Sequence, residues 1–341
     1  MNLKKLILTI FIAFSVSSVL IAADFEVGKE YNGFKLLEKN ELKNIDSTGY
    51  YFEHTVTKTK LFKLKNNDEN KAFSITFKTL PYSDNGIAHV LEHSVLCGSE
   101  KFPVKSPFLI MSKGSMSTFL NAMTSSNYTM YPVASPNDKE FYNLMDVYLD
   151  AVLNPMIHRE DKILKQEGWS YKLENKDAPL KVSGVVYNEM KGALSSPDSL
   201  MWNHVQSNLL PGTTYSYESG GKPEAIRTIT QKEFEEFHSK YYHPSNGVIY
   251  LYGDGNLKEE LEFINNNYLS EYNYKDVDSE IKTVEPFKKP VEKEYFYSIS
   301  KRESTKNKTY HSLSWSIGEI SDLELRMAFD ILNRVLGQTN G

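Results

Sequence analysis

The sequence predicts an α+β protein, a two-layer domain with a largely antiparallel sheet packed by helices. Three observations carry this. Strand-like alternation and helical periodicity come in mixed order, without the strict βαβ alternation of a parallel sheet. Turn and cap residues punctuate the periodic runs at short intervals. Of 341 residues 40% are hydrophobic, with 22 Tyr and 18 Phe, enough to fill a core.

Residues 24–50 are mixed in character and read as irregular. Lys60-Leu61-Phe62-Lys63-Leu64 and Ala72-Phe73-Ser74-Ile75-Thr76-Phe77 alternate as strands do. They flank the turn-rich Asn66-Asn67-Asp68-Glu69-Asn70, which predicts a hairpin or meander. Pro81-Tyr82-Ser83-Asp84-Asn85-Gly86 is a breaker cluster with cap residues, so a helix starts there and stops at Gly98. Ser106-Pro107 is an N-cap followed by proline at the first helical position. Residues 128–133 read as a strand. After Asn137, the residues Phe141, Leu144, Met145, Tyr148, Leu149 and Val152 recur at helical spacing.

Further helices start at Ser196-Pro197 and at Thr230, where Thr-Gln-Lys-Glu forms a capping box. Residues 248–252 are a buried strand. Residues 271–292 are charged and polar with two prolines and read as a linker. Beyond them, 295–298 and 310–317 read as strands and 322–336 as a helix. That is too little for a domain, so this last segment reads as truncated or as relying on something outside it.

Lys4 and Lys5 precede an apolar run over 6–21, followed by Ala22-Ala23-Asp24. These are the charged, apolar and small-residue regions of a secretory signal peptide, taken as residues 1–23. The expected location is therefore periplasmic or extracellular. No second stretch of spanning length follows, so no stable membrane span is expected once the signal is removed. The net charge of −5, without a long Lys/Arg cluster, argues against a nucleic-acid partner. The single cysteine, Cys97, cannot form an intrachain disulfide and reads as a small buried residue.

The chemistry concentrates in His89-Val90-Leu91-Glu92-His93. At about 100° per residue, His89, Glu92 and His93 fall within an arc of roughly 100°. Ile87, Val90, Leu91 and Val95 take the opposite side. Two imidazoles at this spacing can converge on one metal, for which zinc is the usual choice. Zinc lowers the pKa of its water from 15.7 to about 7, and the intervening carboxylate can take the proton. Amide hydrolysis follows naturally from that combination. The same pentapeptide also fits two surface histidines beside an acid. A structural zinc site fits less well, because such sites favour four ligands rich in Cys. A catalytic site needs a third ligand, and spacing does not choose it among the chain's acids.

Three stretches in order carry a resemblance: residues 89–98, Phe119-Leu120-Asn121-Ala122-Met123-Thr124, and Gly184-Val185-Val186-Tyr187-Asn188-Glu189-Met190-Lys191-Gly192. Together they resemble the pitrilysin family of inverted-motif zinc metallopeptidases, most of all its presequence-protease branch. Gln166-Glu167-Gly168-Trp169, Ser219-Gly220-Gly221 and Tyr241-Tyr242-His243-Pro244-Ser245-Asn246 support it. The resemblance spans residues 30–341 and covers the N-terminal part of such proteins.

It implies one zinc per chain held by His89, His93 and Glu189, with Glu92 as general base. It further implies that Asn121 and Ala122 lie on an edge strand to which an extended oligopeptide adds as a further strand. The expected domains are 24–270 for the zinc peptidase, 271–292 for a linker and 293–341 for the start of a second similar domain. A complementing C-terminal half is an expected partner.

Two readings of function follow. One is a zinc-dependent endopeptidase of short unstructured peptides outside the cytoplasm. The other is a non-catalytic peptide-binding or structural subunit, or a portion inactive without its second half. The remaining histidines, His54, His158, His204, His238, His243 and His311, lack a second histidine at ligand spacing. Trp169, Trp202 and Trp315 read as core.

Overall fold

A computed structural model describes residues 25–285 and 287–338, so the signal peptide expected over 1–23 lies outside the described residues. The predicted α+β class holds. The described strands are β1 (Glu30–Tyr31), β2 (Phe34–Leu42), β3 (Ser47–His54), β4 (Lys60–Lys65), β5 (Lys71–Phe77), β6 (Phe119–Leu120), β7 (Met123–Thr124), β8 (Thr129–Ser135), β9 (Ser170–Lys172), β10 (Lys181–Ser183) and β11 (Gly247–Tyr252). The described helices are α1 (Ile87–Val95), α2 (Pro107–Gly114), α3 (Asp138–Leu153), α4 (Lys162–Glu167), α5 (Val185–Ala193), α6 (Pro197–Leu209), α7 (Pro223–Ile226), α8 (Gln231–Tyr241), α9 (Leu257–Asn267) and α10 (Leu323–Gln338).

One large sheet runs in the order β1-β2-β3-β4-β11-β5-β8-β6, with β7 also paired to β8. All of its pairings are antiparallel except β11 with β4. Leu61, Phe73, Ile75, Phe77, Tyr131, Val133, Ile249 and Leu251 are fully buried on the face covered by helices. Val248 and Tyr250 on the other face are exposed. Alternation with period two thus produces the two-layer arrangement.

Two expectations about the sheet fail. Residues 24–50 are not irregular, because β2 and β3 form a long antiparallel pair there. A register shift between Leu36 and Glu38 breaks the alternation that would have revealed β2. Nor do β4 and β5 form a hairpin: β11, almost two hundred residues on, inserts between them. The 66–70 turn spans that gap, and Tyr252 Oη donates to Asp68 Oδ2 at 3.0 Å within it.

The helix signals fare better. Asn137 Oδ1 caps α3 by accepting from Glu140 N–H at 3.0 Å. The capping box at Thr230 opens α8. Past residue 272 the outcome differs. Helix α10 forms as expected, whereas 295–298 and 310–317 have no ladder partner among the described residues and are not strands. A strand pair without a covering layer is marginal in water, and here Phe296 and Leu313 stay almost fully exposed. Trp202 and Trp315 are likewise exposed rather than core, while Trp169 packs against the core. Among the described residues no helix is long and apolar enough to cross a membrane.

Beneath the sheet, α8 joins α3 through histidines. His238 Nε2–H donates to the Val152 carbonyl at 2.9 Å, so its Nδ1 accepts from His158 Nε2–H at 2.9 Å. Burial lowers the His238 pKa to about 3, against 6.5 when unfolded. A base whose folded pKa is depressed gives stability that is complete above pH 6.5 and lost as pH falls toward 3. Between pH 7.5 and 5.5 this group should remove about 1.4 kcal/mol. Urea unfolding at both pH values should show that the drop shrinks by this amount in His238→Gln; an equal drop in the variant would refute it.

Candidate active site

The site is assembled on α1. Asn85 Oδ1 accepts from Ile87 N–H at 3.2 Å and starts the helix. Ile87, Ala88, Val90, Leu91 and Val95 are buried in the core. That fixes the rotation of the helix and sends His89 and His93 to its other side. Their rings lie 5.0 Å apart, inclined by 80°.

Glu189 meets them from α5. Its Oε1 is 3.8 Å from His89 Nε2 and its Oε2 is 3.6 Å from His93 Nε2. Helix α5 is positioned by its buried Val186 and Met190 and by a close approach at Gly184. A Cβ there would sit 2.1 Å from the Gly168 carbonyl oxygen, so only glycine lets the start of α5 rest on the end of α4. The structure therefore brings together the two motif histidines and the distant acid. Among the described residues they are the one group of three or more His, Cys, Asp and Glu side chains whose ligand atoms converge, all lying within 4.8 Å of one another.

Each imidazole is also held at its far nitrogen. His89 Nδ1–H donates to the Gly220 carbonyl at 3.1 Å, and His93 Nδ1 lies 3.5 Å from Glu167 Oε2. With both Nδ1 atoms engaged, both Nε2 atoms face Glu189. Burial pulls the His93 pKa down, but the Glu167 hydrogen bond and the charges of Glu92, Glu167 and Glu189 outweigh it, and the net shift is upward. Burial raises the Glu167 pKa, but bonds from His93, Gln166 and Cys97 outweigh that and lower it overall. Cys97 is half-buried, and its thiol reaches Glu167 Oε1 at 3.4 Å. Burial and the neighbouring Glu167 charge push its pKa far up, so it is a neutral donor.

Two imidazoles and a carboxylate form the donor set expected of a catalytic zinc site, which uses three protein ligands and one open position. Tetrahedral zinc separates its ligand atoms by about 3.3 Å. The measured spacings exceed that by an amount that side-chain rotation can close. The residues present therefore fit zinc. Glu92 is 7% exposed, lies outside that triangle, and has no hydrogen bond or ion pair among the described residues.

Asn121 and Ala122 lie between β6 and β7, which pair with β8 in one continuous register. Asn121 N–H donates to the Pro132 carbonyl at 3.2 Å. Pro132 has no N–H to return, so the ladder is interrupted, and the Asn121 carbonyl accepts from Tyr148 Oη at 3.2 Å instead. Alternation then turns the Ala122 N–H and C=O toward the free edge of the sheet. Helix α1 packs against β7 and β8, so the helix that carries the histidines adjoins the strands at this edge.

An α+β domain whose inverted His-x-x-Glu-His helix meets a distant glutamate has the architecture of a metallopeptidase domain. The family model described as "Insulinase (Peptidase family M16)" matches residues 81–192, and that described as "Peptidase M16 inactive domain" matches 228–341. The chain is 51% identical to "Protein HypA" of Clostridium perfringens over 313 residues, covering 92% of this chain and 32% of that protein. It is 40% identical to "Presequence protease 1, chloroplastic/mitochondrial" of Arabidopsis thaliana over 307 residues, 89% of this chain and 28% of that one. In fold it is similar to the crystal structure of pitrilysin, with a TM-score of 0.58 at 16% identity over 74% of this chain and 26% of that chain. The chain belongs to the pitrilysin family of peptidases and is similar to the N-terminal part of its presequence proteases. It spans about a third of the length of the curated relatives it matches.

Spacing alone puts His89, Glu92 and His93 on one helical face, and the resemblance adds Glu189. Neither gives a role to Glu167 or Gly220. Both stood in stretches that carried the resemblance, Gln166-Glu167-Gly168-Trp169 and Ser219-Gly220-Gly221, and that was the one signal available for them.

Proposed function

We propose that this chain is a zinc-dependent endopeptidase of short unstructured peptides. The observation that carries the reading is the convergence of His89 Nε2, His93 Nε2 and one carboxylate, Glu189, beside the buried Glu92. His89, His93 and Glu189 would hold one zinc ion, which when bound polarises the substrate carbonyl and acidifies water. Glu92 removes a proton from the attacking water through a carboxylate oxygen and returns it to the leaving amine nitrogen as the C–N bond breaks. The outward N–H and C=O of Ala122, beside Asn121, take the peptide backbone as an added strand, so affinity depends little on side chains.

Such a chain should hydrolyse a quenched generic peptide, lose activity to a zinc chelator and regain it on adding zinc. Ala122→Pro, which removes an outward N–H, should raise KM more than it lowers kcat. Activity indifferent to the chelator would contradict the metal role, and an unchanged KM would contradict the edge-strand role.

A second reading is favoured by the span of the chain, about a third of its relatives, and by the match of 228–341 to an inactive domain. On it, zinc binds here but turnover requires a complementing C-terminal half, and residues 293–341 begin a second similar domain after a linker over 271–292. Hydrolysis that emerges only on adding that half would establish it. The charged and then apolar pattern over 1–23, read as a signal peptide, supports work outside the cytoplasm, in the periplasm or beyond, which fractionation of the producing cells would test.

A further inference from the structure

The carbonyl that holds His89 belongs to a loop, residues 218–222, that has no helix or strand of its own to fix it. Asp84, just ahead of α1, ties it down. Its Oδ1 accepts from Glu218 N–H at 2.8 Å, its Oδ2 pairs with Lys222 Nζ at 2.7 Å, and its main-chain carbonyl accepts from Lys222 N–H at 2.8 Å. Both ends of the loop are thus anchored on one residue. Between the anchors the loop closes on itself, with Gly220 N–H donating to Glu218 Oε1 at 3.0 Å and Gly221 N–H to the Glu218 carbonyl at 3.0 Å.

The anchored loop lies in direct contact with the entry to α1. A Cβ on Gly86 would sit 2.5 Å from the Gly220 oxygen and 2.5 Å from Gly221 Cα. Gly86 also has φ near +65°, a region glycine enters without steric cost. Any side chain here would push the loop outward and carry the Gly220 carbonyl away from His89.

We propose that Asp84 is a positioning residue for the metal centre: by clamping loop 218–222 against Gly86, it holds the Gly220 carbonyl on His89 Nδ1 and so aims His89 Nε2 at Glu189. The proposal rests on the zinc reading of His89, His93 and Glu189. Removing a group that orients a ligand imidazole lowers metal affinity by about 10–100-fold.

The test measures zinc affinity by competition with a chromophoric chelator, and the ring 15N shifts of His89 in the metal-free chain. Asp84→Ala should weaken zinc by about 10–100-fold and lose the Nδ1–H signature of His89. Asp84→Asn keeps an acceptor for Glu218 N–H and should lose less. Gly86→Ala should weaken zinc as well, and its effect should not add to that of Asp84→Ala because both act on one contact. Glu167→Gln acts on the other imidazole, so its effect should add.

Zinc affinity within twofold of the parent in a folded Asp84→Ala would overturn the proposal. Should that variant not fold, Lys222→Met, which removes one half-exposed arm of the clamp, decides the question: weaker zinc supports the clamp, and parental affinity overturns it. Should the parent bind no zinc, the metal reading fails by itself. The His89 tautomer in metal-free Asp84→Ala then decides the clamp, and an unchanged Nδ1–H overturns it.

Discussion

Replacing Glu92 by glutamine is expected to lower peptide hydrolysis by roughly 10²–10⁴-fold while zinc stays bound. A buried carboxylate without a hydrogen-bond partner is costly to keep. Here it shares a helix with both imidazoles, its charge acts on His93, and the other side of that helix is locked into the core. Burial raises the pKa of Tyr148, and the Glu92 charge adds to that shift. The carboxylate is therefore within electrostatic reach of the tyrosine that holds the Asn121 carbonyl on the edge strand. A base in this position is carried by the ligand helix and acts electrostatically on the tyrosine that holds the edge strand. Glutamine keeps the shape and removes the proton acceptor. Parental turnover in Glu92→Gln would refute the role of Glu92, and loss of zinc would show it to be a ligand instead.

The largest effect on stability should come from Lys63 and Glu260. Lys63 Nζ lies 2.8 Å from each Glu260 carboxylate oxygen, and both side chains are fully buried. Burial pulls the Lys63 pKa down and pushes the Glu260 pKa up, each opposed by the partner's charge. The pair joins β4, an interior strand of the sheet, to α9. A Cβ on Gly255 would meet Glu260 Oε1 at 2.1 Å, so the loop before α9 is cut to fit this carboxylate. Truncating one partner strands the other charge, at a cost of about 3–5 kcal/mol. Lys63→Met and Glu260→Leu should each show that loss in urea unfolding, and the double variant should recover much of it. Single variants within about 1 kcal/mol of the parent would show that the pair is not a buried ion pair.

The local code of this chain is easy to read where one element decides its own geometry. Asn137, Thr230 and the Ser-Pro starts mark their helices, and the apolar run 248–252 marks its strand. The placement of β11 between β4 and β5 was not legible, because pairing between segments far apart in sequence leaves no mark in either one. Strand β2 was hidden by its register shift. The four residues of the site divide the same way. His89, Glu92 and His93 share one helical face and could be read from spacing. Glu189 needed the resemblance, because the contact of Gly184 with Gly168 that sets α5 in place is visible only in three dimensions. Asp84 and Glu167 act through backbone and second-layer contacts, for which residue type is a poor guide. Trp202 and the segment 295–317 mislead for a related reason: apolar character predicts burial only where a covering layer exists.

His89, His93 and Glu189 are expected to close around one zinc ion. Metal analysis of the chain, equilibrated with zinc and dialysed, tests it most directly when set beside Glu189→Ala. About one zinc per chain is expected in the parent, and loss of that zinc in Glu189→Ala, with unfolding of the metal-free proteins unchanged. Zinc retained in full by Glu189→Ala, or none held by the parent, would contradict it.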